Sequence, residues 1–96
     1  MTAPQPDREG IADGITRAQQ RAEETRMNPT VSFEVAASIT NQRVGEAVTI
    51  AENTGNPLAR DQQALVAEVV TLAVLAGVDE YRIQETITHL CPPPFF

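Results

Sequence analysis

His89 and Cys91 are the chain's one imidazole and one thiol, so nucleophilic or metal chemistry has to start from them. A nucleophile and its base need hydrogen-bond reach, which alternate positions at a helix end do not readily supply. Zinc takes about four ligands, mostly Cys and His, so a site built here would need a second subunit to complete it. A histidine near a helix C-terminus is accounted for by its favourable interaction with the helix dipole. The single cysteine also excludes an internal disulfide.

Carboxylates on helices can hold Mg²⁺ when several converge on one pocket, as in all-α pyrophosphohydrolases. Here Glu46 and Glu52 fall on different faces, Asp79 and Glu80 sit at a turn, and Glu68 stands alone in an apolar stretch. Glu68 is expected on a thin polar stripe shared with Asp61 and Thr71; the alternative is burial with Arg43 or Arg60 as partner. The chemistry-bearing residues therefore predict no catalytic site, no metal and no cofactor. The chain reads as a protein that is not an enzyme.

The elements that carry these residues are helical. Between residues 64 and 76 eleven of thirteen positions are apolar, which predicts a helix over about 57–76 buried on several sides at once. A second helix is expected over about 29–53, with one face built from Phe33, Ala36, Ala37, Thr40, Val44, Ala47, Val48 and Ala51. Gly45 lies inside it and either admits a neighbouring helix or marks a kink. Asn28-Pro29 and Asn56-Pro57 read as two start signals, asparagine capping and proline opening the first turn. A thinner helix over about 13–27 carries Ile11, Ile15, Ala18 and Ala22 on one stripe, with Gly14 weakening its start. It docks on the rest or forms with a partner. Residues 79–90 form a shorter helix with Ile83, Ile87 and Leu90 inward, ended by three prolines.

These elements make one all-α domain: a small bundle of three principal helices, 29–53, 57–76 and 79–90, with an N-terminal helix at 13–27. The domain spans 13–91, preceded by a flexible arm over 1–12 and followed by an extended Pro-rich tail over 92–96. Three consecutive prolines favour polyproline II geometry, and Phe95-Phe96 supply apolar anchors. The tail either inserts into a partner's groove or folds back on its own helices.

Residues 72–83 hold Ala73, Gly77 four positions later and Ile83 six beyond. This segment, and residues 70–90 more widely, resembles the helix-turn-helix of bacterial and phage repressors. In that family the small residue permits a close crossing, glycine makes the turn and the branched residue fills the angle. The resemblance implies a DNA-binding regulator using Tyr81, Arg82, Gln84 and Thr88. The sequence departs from it in charge: Asp79, Glu80 and Glu85 would face phosphate, with Arg82 alone beside them. Thr86 also stands where an apolar residue is common, and the preceding helix is long for the motif.

Net charge is −6, and all seven basic residues are arginine. The absence of lysine matches the codon usage of GC-rich genomes such as those of actinobacteria and their phages. No basic block exists to bind nucleic acid or anionic lipid, and the longest apolar run is too short to span a bilayer. No secretory leader is evident, so a cytoplasmic location is expected, in the host cytoplasm or virion if phage-encoded. The functional expectation is a non-catalytic helical interaction or assembly module, a structural or host-factor-binding protein in such a setting. Its partner is a protein or a second copy, with no membrane and nucleic acid only in the competing regulator reading. The candidate contact residues are Pro93, Pro94, Phe95 and Phe96 in the tail and Ile11 and Ile15 on the first helix.

Overall fold

Helix ends decide where this chain turns, and three of the four are closed by one device. In each, a residue with left-handed backbone follows the helix, and two N–H groups fold back onto the last-turn carbonyls. After the first helix Arg26 (φ 52°) takes that position, with Arg26 N–H donating to Glu23 and Met27 N–H to Ala22. Gly55 (φ 79°) and Gly77 (φ 80°) do the same after the second and third. The fourth helix closes differently, with Cys91 N–H donating to the Ile87 carbonyl at 2.8 Å.

The computed structural model describes residues 8–91. They fold as four helices, α1 Glu9–Glu24, α2 Phe33–Asn53, α3 Arg60–Leu75 and α4 Glu80–Leu90, with no strand among the described residues. The all-α expectation with three principal helices and an N-terminal one is met. Most of the arm and all of the tail, including Pro93, Pro94, Phe95 and Phe96, lie outside the described residues.

The boundaries differ at the helix starts. Both Asn-Pro pairs lie in loops, and α2 and α3 begin four and three residues after Pro29 and Pro57 respectively. Ser32 caps α2 instead, its hydroxyl accepting from Val35 N–H at 3.2 Å. Upstream of it, Thr30 N–H and hydroxyl both donate to the Leu75 carbonyl, at 2.8 and 3.2 Å, which straps this loop over the end of α3. Before α3, Leu58 packs on the core and Ala59 is extended without any side-chain cap. Asp79 caps α4 as expected, accepting from Arg82 N–H at 2.9 Å.

The largest correction concerns α1. It begins at Glu9, taking in the end of the predicted arm, and it is the most extensive neighbour of α3. Gly10 and Gly14 are what make this possible. A Cβ on Gly14 would stand 2.3 Å from the Ala64 carbonyl oxygen and 2.6 Å from the Ala67 methyl; one on Gly10 would stand 2.5 Å from the Arg60 carbonyl oxygen. At these two positions the α1 backbone lies directly against α3, with no side chain of its own between them. Gly14 therefore helps seat the helix it was expected to weaken. The pairing runs forward on both helices, from Gly10 at Arg60 and Gln63 to Gly14 at Ala64 and Ala67, so α1 and α3 are parallel. Arg60 fastens the start of the seam, bonding Glu9 Oε2 at 2.8 Å and Asp13 Oδ2 at 2.9 Å.

Antiparallel α2 packs on both. Val44 and Val48 meet a core that includes Ile11, Ile15, Val66 and Val70. Thr71, expected on the polar stripe, is instead fully buried, its hydroxyl 2.7 Å from that of Thr40 on α2 and 2.7 Å from the Ala67 carbonyl. A buried hydroxyl needs such a partner. Gly45 lies inside one unbroken helix, and among the described residues no helix packs on it; its neighbour there is the Arg8 guanidinium, which donates to the Gly45 carbonyl at 3.0 Å and to Thr49 Oγ1 at 2.9 Å. Finally α4 folds back along α3, where Ile83 and Ile87 complete the core.

Candidate functional site

The residues singled out for chemistry are scattered. His89 is exposed, and Cys91 is half-buried, burial raising its thiol pKa above the ordinary value. Glu46 lies exposed on α2 and Glu52 is half-buried one turn and a half later. Among the described residues no group of three or more His, Cys, Asp or Glu is placed to hold a metal ion. The Glu68 side chain keeps 16% of its exposure and lies 3.7 Å from Arg21 on α1. The two arginines considered for it are engaged elsewhere, Arg43 with Glu80 and Arg60 with Glu9 and Asp13.

Ile11 and Ile15, taken from the sequence as partner contacts, are 1% and 8% exposed and belong to this chain's own core. The reason is the seam: once the glycines let α1 against α3, its only apolar stripe is used up.

The turn between α3 and α4 is closed by its own backbone. Val78 N–H donates to the Ala73 carbonyl at 3.0 Å, Gly77 is left-handed, and Ile83 is buried in the core. The outward face of α4 is arranged otherwise. Tyr81, Gln84 and Thr88 follow at spacings of three and four along one side with Glu80, and Arg82 lies on another. Tyr81 is 76% exposed. The carboxylate of Glu80 is tied to Arg43 of α2, and Gln84 and Thr88 line a cleft against that helix. The base-reading candidates and the one cation thus occupy different sides of the helix.

Two surfaces emerge that the sequence reading did not assign. The first is the outward side of α3. Leu65, Val69, Leu72 and Ala76 share one stripe at spacings of four, three and four. Leu65 is 52% exposed and Val69 and Leu72 are half-buried. The sequence could not show this, because a helix apolar all round does not declare which side its neighbours leave open.

The second is a cleft of about 300 Å³ between the C-terminal halves of α2 and α4, floored near the start of α3. Ala47, Ile50, Leu58 and Ile87 give it an apolar wall, and Gln84 and Asn56 stand on its rim. Ile50 is 59% exposed there.

No helix among the described residues is long and apolar enough to cross a membrane. Comparison with protein-family models, curated proteins and solved structures returns no match. The functional reading rests on these surfaces.

Proposed function

We propose that this chain is a non-catalytic helical interaction module whose principal contact is the outward stripe of α3. The observation that carries the reading is Leu65, half in solvent on a helix already covered by α1, α2 and α4. Its row of four apolar positions repeats at the four-and-three spacing with which helices pack in pairs. A second copy offers the same row by identity, and a two-fold axis sets the rows face to face. Self-association through α3 is therefore the form of the proposal to test first. Sedimentation equilibrium over a hundredfold range of concentration should show a rising mass for the wild type. Leu65→Glu should abolish that rise without lowering helicity, since its position is open to water. A wild type that remains monomeric throughout overturns the reading.

A DNA-binding corner is the second reading, favoured by the arrangement of Ala73, Gly77 and Ile83. It predicts a salt-sensitive shift with duplex DNA that is lost in the Arg82→Ala, Gln84→Ala variant. Absence of a shift at low salt removes it.

A further inference from the structure

The row on α3 and the cleft between α2 and α4 are opposite in shape, and one chain carries both. On α3 the side chains stand out from a helix, with Leu65 52% exposed. Between α2 and α4 they draw back around about 300 Å³, walled by Ala47, Ile50 and Ile87. An apolar cavity of about 150 Å³ holds a benzene ring, so the cleft has room for two aliphatic side chains such as Leu65 and Leu72. The two surfaces share no atoms, since none of the four row residues lines the cleft. A chain can therefore present its row to one neighbour while its cleft receives the row of another.

Charge also matches the two. Arg21 on α1 meets Glu68, which stands on α3 between Leu65 and Leu72. Arg17 lies one turn earlier on that side of α1, exposed and without an ion pair among the described residues. This edge of the row thus carries a cation in excess. On the rim of the cleft Glu46 is exposed and likewise without an ion pair among the described residues, while Arg43 beside it is held by Glu80. Asp61, at the start of the row, would meet the amides of Asn56 and Gln84 as donors on that rim. Complementary edges of this kind set which surfaces pair.

We propose that the α3 row is covered by the α2–α4 cleft of a second copy, joined head to tail. This rests on the self-association read from α3 and names the surface that the row meets. A contact between two different surfaces closes into a ring or grows as a chain, whereas a two-fold contact of row on row stops at two copies.

Two variants of the full chain, each with one surface spoiled, test it. Leu65→Glu keeps its cleft; Ile50→Glu, at a position 59% exposed, keeps its row. Each alone should sediment as a monomer with wild-type helicity. Mixed in equal amounts they should form a complex of two chains and nothing larger, because one intact row and one intact cleft remain. The wild type should pass beyond two chains as concentration rises. Should Ile50→Glu associate as the wild type does, the row is met elsewhere and this proposal falls while the α3 reading stands. A mixture that stays monomeric overturns it as well. A wild type that is monomeric throughout overturns both.

Discussion

Where α1 meets α3 the two helices touch backbone to backbone; where α2 faces α4 they stand apart over a cleft. Both pairs are joined by surface ions, Arg60 to Glu9 and Asp13 in the first and Arg43 to Glu80 in the second. Ion pairs exposed to water do not pull helices together. What separates the two regions is side-chain size at the facing positions. Gly10 and Gly14 leave room for a carbonyl oxygen, while the facing wall of α2 carries Arg43, Glu46 and Ile50. Close approach comes from removing side chains, and a site for something else comes from keeping them.

The sharpest way to break this comparison is Gly14→Ala. Alanine would raise helix propensity by about 1 kcal/mol, but its methyl cannot fit against Ala64 and Ala67 unless the helices part. A net loss of about 2–3 kcal/mol is expected, read from the urea midpoint. A stabilised variant would mean that the seam is looser than described. Next in size is the buried hydroxyl pair between α2 and α3. Thr71→Val leaves Thr40 without its partner and should cost about 1–2 kcal/mol, whereas Thr40→Val with Thr71→Val should recover most of that loss. Two singles that simply add in the double variant would show that the hydroxyls are not coupled.

Gly45→Ala serves as the control for Gly14, because among the described residues the new methyl meets only the end of the Arg8 side chain, at 3.3 Å. That end can swing aside, so the propensity gain survives, and calorimetry should show stabilisation of about 0.5–1 kcal/mol. Smallest of all is Glu80→Gln. With its side chain 72% exposed, the pair with Arg43 is screened by solvent, and its loss should cost less than about 0.5 kcal/mol. A larger effect in a salt titration of stability would give the α2–α4 side an ionic contribution that the comparison denies it.

Residues that act locally were legible in the sequence. Gly77 and Asp79 mark the α3–α4 corner through their own backbone and side-chain requirements, and Ile83 and Ile87 follow from helical spacing. Residues whose role is set by a distant neighbour were not. Glycine at position 14 reads as a weak helix former until the Ala64 backbone is placed against it. Thr71 reads as a polar exit to solvent until Thr40, thirty-one residues away, supplies a hydroxyl. Arg26 gives no sign in sequence of taking the turn position that glycine takes at 55 and 77. The same limit governs the candidate site. Ile11 and Ile15 read as a stripe in want of cover, and the chain's own core supplies it. Nothing distinguishes Leu65 from its equally apolar neighbours until three sides of α3 are filled.

The glycine seam also sets an order of events during synthesis. Gly10 emerges from the ribosome well before its partners Arg60 and Gln63 exist. At translation rates of about 5–20 residues per second, the roughly fifty intervening residues take several seconds. Through that interval α1 has no surface to lie on, and Ile11 and Ile15 face solvent or whatever binds nascent chains. The helix that makes the most extensive contact with α3 is thus the one that waits longest to be covered.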